Sequence, residues 1–138
     1  MRIDPGALDV KVREAVASFW RTRDAQVSRQ ARRGKADRGA RGAVTGGAQM
    51  DGFLSLLANL ARGAGAPDAT IHRRERLELP GFFRPTKEWD MLVAADGRLL
   101  VALEAKSQVG PSFGNNFNNR TEEAIGSALD LWTAYRQG

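Results

Sequence analysis

The stretch Leu99-Leu100-Val101-Ala102-Leu103-Glu104-Ala105-Lys106 is the most informative part of this 138-residue chain. Its first five residues form an apolar run that is typical of a buried strand, and Glu104 and Lys106 follow directly. Side chains two residues apart on a strand leave from the same face, so a carboxylate and an ammonium emerge side by side. Asp90, across a short turn, adds a second carboxylate.

These residue types suit metal-dependent hydrolysis of a phosphodiester. Mg²⁺ prefers carboxylate and water oxygens, and it can activate water and neutralise charge on phosphorus. Asp90 and Glu104 would supply such oxygens, while Lys106 would orient the attacking water or the phosphate. Glu-X-Lys alone is a weak signal, so a Glu104–Lys106 pair at a strand end with no chemistry stays open as the alternative.

The turn between the two strands decides which residues face each other. With a two-residue Asp96-Gly97 turn and regular pairing, Asp90 and Glu104 would face opposite sides of the sheet. A metal site therefore requires a bulge or a longer loop, Ala95-Asp96-Gly97. That loop would pair Asp90 with Ala102, diagonally beside Glu104.

Length and composition predict a single domain over residues 1–138. A hydrophobic content of 42% suffices for one core. No apolar stretch has the length of a membrane span, and the N-terminus lacks the apolar core of a signal peptide, so we expect a cytoplasmic protein. The chain has no cysteine and one histidine, His72, which makes zinc enzymes and Ser-His hydrolases poor candidates.

Positive charge is concentrated near the N-terminus. Residues 1–45 carry 11 Lys and Arg against 5 Asp and Glu, whereas the remaining 93 residues carry 10 against 11. A Gly/Arg-rich segment at about residues 30–47 is predicted to be a mobile arm that follows a phosphate backbone. A solvated loop without a partner is the alternative.

Hydrophobic periodicity predicts three helices and three strands. The helices are expected at about residues 7–29, from Met50 to near Gly63, and after a capping box at Asn119–Glu122; the strands are expected at 71–79, 89–94 and 98–107. The apolar faces of the helices, and Trp20, Trp89 and Trp132, are expected in the core.

Two stretches, Leu79–Asp90 and Leu103–Ala124, closely resemble XhoI-type type II restriction endonucleases. The resemblance implies an α/β (α+β) restriction-endonuclease-like core, with a mixed β-sheet flanked by helices, truncated after the helix that follows the catalytic strands. It further implies a PD-(D/E)XK nuclease that cuts double-stranded DNA at CTCGAG with Mg²⁺. Asp90, Glu104 and Lys106 would be its catalytic residues, with Trp89-Asp90 standing where the family usually has Pro-Asp. A homodimer and a cognate DNA methyltransferase are implied in the same way.

Further residues are candidates for the same site. Asp51 heads the second predicted helix and is a candidate third metal ligand, with a helix N-cap as the alternative. The candidate DNA contacts are basic residues before Trp89 and a polar loop before the last helix, namely Arg84, Lys87, Asn115, Asn116, Asn118, Asn119 and Arg120. Two other functions stay open, a truncated non-catalytic DNA-binding remnant and a structure-specific or repair nuclease with the same core.

Overall fold

The computed structural model describes residues 4–32, 48–108 and 113–137. The chain divides into two units, Met1–Ala66 and Pro67–Gly138. The N-terminal unit contains helices α1 (Pro5–Arg32) and α2 (Asp51–Gly63), with a 3₁₀ turn at Ala48–Met50 directly before α2. The expectation of one domain over the whole chain stays a prediction.

Helix α1 begins at a side-chain cap, since the Asp4 carboxylate accepts hydrogen bonds from the backbone N–H groups of Gly6 and Ala7. Its apolar stripe is less buried than the periodicity predicted. Ala15 and Phe19 are buried and Leu8 is half-buried, whereas four other large members are exposed, namely Val12, Val16, Trp20 and Val27. Within this unit Phe19 packs edge-on against Phe53 of α2, with ring centroids 6.4 Å apart.

Most of the predicted basic arm, at about residues 30–47, lies outside the described residues. Residues 30–32 continue the backbone of α1, and residues 33–47 lie outside the described residues. The prediction of an arm that contacts phosphates therefore stays a prediction.

The C-terminal unit contains two antiparallel sheets and one long helix. Its elements are a 3₁₀ turn at Asp68–Thr70, strands β1 (Ile71–Arg73), β2 (Glu78–Pro80), β3 (Thr86–Glu88), β4 (Met91–Ala95) and β5 (Arg98–Leu103), and helix α3 (Phe113–Gln137). One sheet has the order β1-β4-β5, and β2 pairs with β3 in the other. The α+β class is confirmed, but every described strand pair is antiparallel, so the sheet expected to be mixed is not mixed in this part of the chain.

Two strand predictions are wrong in detail. The strand expected over residues 71–79 is two strands, because Arg74 adopts a positive φ of 61°, which an extended strand does not allow. The buried strand of the hairpin is β4, at the centre of its sheet, rather than β5. Strand β5 lies at the sheet edge, and its Leu100 and Val101 are exposed.

The hairpin between β4 and β5 combines a tight turn with a bulge. Ala95 pairs with Arg98 across Asp96-Gly97, whose φ angles of 52° and 71° are those of a type I′ turn. The longer loop is therefore wrong and the bulge is confirmed: the register shifts between Val93 and Ala94 and leaves one extra residue on β5. Met91 consequently pairs with Leu103 and Leu92 pairs with Ala102, so Asp90 does not pair with Ala102 and instead lies beside Glu104 at the end of the ladder.

Helix α3 begins earlier than the capping-box pattern predicted. It is continuous from Phe113, so the polar segment expected to be a loop is helical. Its buried positions are Ser127 and Asp130, with Leu131 packed against a core of Leu77, Trp89 and Leu92. The face predicted to be buried is exposed at its large residues, namely Ile125, Leu129, Trp132 and Tyr135. Trp89 is thus the only tryptophan of the three predicted in the core that is buried.

Candidate active site

The two predicted carboxylates lie at the open end of the β4–β5 hairpin. Asp90 immediately precedes β4 and Glu104 immediately follows β5, so both residues flank the last pair of the ladder, Met91 with Leu103. The Oδ2 atom of Asp90 accepts a hydrogen bond of 2.7 Å from the backbone N–H of Ala105. Asp90 therefore reaches across to the chain segment that carries Glu104 and Lys106.

Glu104 is held by two ammonium groups. Lys106 forms an ion pair with Oε1, as the spacing of Glu-X-Lys predicted, and Lys87 of β3 forms an ion pair with Oε2. The side chains of Lys87, Glu104 and Lys106 are 12%, 18% and 31% exposed. Lys87 was predicted as a DNA contact, and the structure brings it into contact with a predicted catalytic carboxylate.

These contacts determine the charges of the cluster. Burial alone would raise the pKa of Glu104, but the hydrogen bonds from Lys106 and Lys87 outweigh it and hold that pKa below its ordinary value. Burial would likewise lower the pKa of Lys106, and its hydrogen bond to Glu104 outweighs this and raises it. Lys106 is therefore a cation at neutral pH, suited to stabilising negative charge rather than to accepting a proton.

A basic cleft of about 640 Å³ adjoins this cluster. Four cationic side chains line it, Arg84, Lys87, Lys106 and Arg120, together with Glu122 and Glu123. Glu123 accepts from Arg120 at 2.6 Å and lies 3.5 Å from Lys106, so it links the helix to the cluster. The excess of cations over carboxylates gives the cleft the charge that a phosphate group requires.

An apolar groove of about 450 Å³ lies between β5 and α3. Leu99, Ala102 and Leu131 are among its apolar walls, and Glu104 and Lys106 also line it. The low dielectric of such walls strengthens the electrostatic interactions of these two side chains.

Asp130 is a residue that sequence reasoning missed. It is 2% exposed, and its Oδ1 accepts hydrogen bonds from the backbone N–H groups of Phe82 (2.9 Å) and Phe83 (2.7 Å), while Oδ2 pairs with Nε of Arg84 at 3.0 Å. Gly81 is required beside it, because an added Cβ would lie 2.4 Å from Oδ2. No local pattern joins an acid on α3 to a turn nearly 50 residues earlier, so only the fold could reveal this contact.

The predicted DNA contacts have three outcomes. Arg84, Lys87 and Arg120 line the basic cleft. Asn118 and Asn119 are exposed on the first part of α3. Asn115 and Asn116 belong to the same helix, and their side chains lie outside the described residues. A DNA-binding role for all of these residues stays a prediction.

Asp51 belongs to the N-terminal unit. It is the first residue of α2, and Met50 occupies the N-cap position without a side-chain cap, so the alternative of Asp51 as a simple N-cap is wrong. A carboxylate in the first turn of a helix is favoured by the helix dipole. Its role as a third metal ligand stays a prediction.

Comparison with known proteins identifies the family. The sequence pattern of restriction endonuclease XhoI matches residues 29–138. The chain belongs to the XhoI restriction endonuclease family. The resemblance predicted from Leu79–Asp90 and Leu103–Ala124 is thereby confirmed, and the α+β fold is consistent with a restriction-endonuclease-like domain.

Three curated relatives are type II restriction enzymes. AbrI of Azospirillum brasilense is 53% identical over 139 residues, and XhoI of Xanthomonas vasicola is 49% identical over 140 residues; each alignment covers the whole chain. BstVI of Geobacillus stearothermophilus is 53% identical over 106 residues, which are 73% of this chain and 47% of that enzyme. The chain spans 62% of AbrI and 56% of XhoI. No solved structure matches the chain.

None of the helices in the described ranges has the length and hydropathy needed to span a membrane.

Proposed function

We propose that this chain carries the catalytic part of a type II restriction endonuclease that hydrolyses double-stranded DNA at CTCGAG. The supporting observation is that Glu104 pairs with Lys106 at the end of one hairpin, where Asp90 accepts a hydrogen bond from the Ala105 backbone that lies between them, beside a cleft lined by four cations. The membership of the chain in a family of restriction enzymes supports the site-specific activity.

The donor atoms of the site fit Mg²⁺. This ion binds protein sites through one or two carboxylates, with water and substrate phosphate completing its coordination. Asp90 and Glu104 supply two carboxylates at one hairpin end, and within the described residues no group of three Asp, Glu, His or Cys side chains forms a more complete site. A bound Mg²⁺ would supply activation of water and neutralisation of phosphate charge.

Other side chains of the protein would stabilise the transition state and bind the DNA. The Lys106 ammonium, oriented by Glu104 and near Glu123, would stabilise the negative charge that grows on the phosphate oxygens in the transition state. Arg120, Lys87 and Arg84 would hold the scissile phosphate and its neighbours in the cleft. The exposed amides of Asn118 and Asn119, together with Asn115 and Asn116, would reach other phosphates or base edges.

The partners follow from the proposed substrate. A palindrome has two-fold symmetry, so a homodimer with one active site for each strand would suit it. A restriction activity also requires protection of the host DNA, for which we propose a cognate methyltransferase in the same system. Since the DNA to be cut enters the cytoplasm, we propose that compartment for the enzyme.

Cleavage of a plasmid with one CTCGAG site tests this function. The full chain is incubated with that plasmid, and with a matched plasmid from which the site has been removed, in Mg²⁺ and in EDTA. The proposal expects linearisation of the first plasmid only, in Mg²⁺ only, with ends that map to the palindrome. Cutting of both plasmids, or of flaps and junctions, would instead favour a structure-specific nuclease.

A hybrid enzyme addresses the difference in length from the relatives. The aligned region of AbrI, 53% identical to this chain, is replaced by residues 1–138. A hybrid that cuts in Mg²⁺, while the chain alone does not, would show that residues 1–138 contain a working catalytic part. A folded hybrid without cleavage would favour the non-catalytic remnant.

A further inference from the structure

Lys87 is held inside the candidate active site by three different groups. Its ammonium forms an ion pair with Oε2 of Glu104, donates to the backbone carbonyl of Glu88 at 3.2 Å, and lies 4.9 Å from the ring centroid of Trp89. The Lys87 side chain is 12% exposed, less than the 31% of Lys106. Burial against a carboxylate would not help a lysine that served only to bind phosphate.

The contact with Glu104 conflicts with a metal at the same carboxylate. Lys87 and Lys106 occupy both oxygens of Glu104, while Asp90 already accepts a hydrogen bond at Oδ2. An ammonium and a divalent cation repel each other strongly at a few ångströms in a partly buried site. Lys87 therefore opposes metal binding through Oε2 of Glu104 while it remains there.

Lys87 has a second site within reach. It lines the basic cleft together with Arg84 and Arg120, and its flexible four-carbon side chain can move without displacement of β3. A phosphate in the cleft offers the ammonium a new anionic partner. The same side chain can thus neutralise either Glu104 or a phosphate.

We propose that Lys87 is a positioning residue that occupies the metal site of Glu104 in the free chain and leaves it for a DNA phosphate. This inference deepens the proposed nuclease function and rests on it. Lys87 keeps Glu104 neutralised when no DNA is bound, so the carboxylate has low affinity for a divalent cation. When a phosphate enters the cleft, Lys87 moves to it, and DNA and metal therefore strengthen each other's binding.

Calorimetric titration of the full chain with Ca²⁺, in the absence of DNA, tests this role without relying on catalysis. Lys87→Met removes the charge and keeps most of the side-chain volume, whereas Lys87→Arg keeps the charge. We expect Lys87→Met to bind Ca²⁺ at least about tenfold more tightly than the unaltered chain, because a repulsive charge has left the site. Lys87→Arg should remain within about threefold of the unaltered chain.

Arg120→Met is the matched control, because Arg120 lines the same cleft but pairs with Glu123 rather than with Glu104. An equal gain of affinity in Arg120→Met would mean a general effect of cleft charge and would overturn the proposal. No gain in a folded Lys87→Met variant would also overturn it. In the double variant Lys87→Met, Glu104→Gln the gain should disappear, since it acts through Glu104.

The Ca²⁺ titration and the cleavage assay test the role of Lys87 and the proposed nuclease activity separately. Tighter Ca²⁺ binding by Lys87→Met, with no cleavage of CTCGAG DNA, would support the role of Lys87 at a metal site and refute the proposed activity. Specific cleavage by the unaltered chain or the hybrid, with unchanged Ca²⁺ binding by Lys87→Met, would refute the role of Lys87 alone.

Discussion

Replacement of Asp130 by alanine should destabilise the C-terminal unit substantially. Its carboxylate is 2% exposed and accepts two hydrogen bonds from the turn at Phe82 and Phe83, besides pairing with Arg84. Hydrogen bonds to a charged group contribute about 1.5–3 kcal/mol each. Water can reach the exposed turn in the variant, so we use the lower end of this range, which gives a loss of about 3 kcal/mol for the two bonds. The Arg84 side chain is 44% exposed, so its ion pair adds little.

Thermal unfolding followed by circular dichroism measures this loss. For a chain of this size, about 3 kcal/mol corresponds to a melting temperature lower by roughly 10 °C. Glu122→Ala is the matched control, because Glu122 is an exposed acid on the same helix, and it should change stability by less than about 0.5 kcal/mol. A folded Asp130→Ala variant that melts within about 2 °C of the unaltered chain would refute the structural role of this carboxylate.

Three further predictions concern the same unit. Gly81→Ala should lower the free energy of unfolding by about 1–3 kcal/mol, because the added Cβ would lie 2.8 Å from the backbone oxygen of Arg84. The control, Gly126→Ala, has nothing near the added Cβ and should leave the free energy of unfolding unchanged or raise it by up to about 1 kcal/mol. Equal losses in both variants would contradict the close packing at Gly81. Gly97→Ala should cost about 1 kcal/mol in a denaturant titration, because Gly97 has a φ of 71°, and an unchanged midpoint would count against the observed turn. The folded-state pKa of Glu104 is held below its ordinary value of 4.5, so the stabilisation by this carboxylate is present above that pH and is lost as the pH falls through the lowered pKa. The melting temperature of Glu104→Gln should therefore fall less on acidification than that of the unaltered chain. Melting temperatures that fall in parallel would argue against the contacts of Glu104 with Lys87 and Lys106.

The residue types of the site were easier to predict from the sequence than their arrangement in space. The spacing of Glu104 and Lys106 placed them together because alternate residues share one face of an extended chain. The need to bring Asp90 to that face predicted a longer loop or a bulge, and the register contains the bulge. The position of the bulge was not predictable, because an extra residue inserted anywhere on β5 between the turn and Leu103 would bring Asp90 to the same face.

Long-range contacts explain what the sequence could not predict. The contact of Lys87 with Glu104 joins residues 17 positions apart, and the contacts of Asp130 with the Phe82-Phe83 turn join residues 47 and 48 positions apart. No local sequence pattern encodes such pairs. The apolar run of β5 was misassigned to the core for a related reason. Hydrophobicity identifies a strand, but whether it becomes a central strand like β4 or an edge strand depends on sheet order.

The most direct test of the catalytic assignment is the cleavage rate of Glu104→Gln on DNA with one CTCGAG site, measured in the full chain or in the AbrI hybrid, whichever cuts. Glu75→Gln serves as the matched control, because Glu75 is an exposed acid of the same unit that does not line the cleft, and binding of the same DNA in Ca²⁺ verifies that the variants still recognise it. We predict a loss of cleavage of at least about a thousandfold for Glu104→Gln, with DNA binding retained, because a neutral amide would not replace the carboxylate that is proposed to bind Mg²⁺ and to orient Lys106. Specific cleavage by Glu104→Gln at a rate similar to that of Glu75→Gln would contradict this assignment.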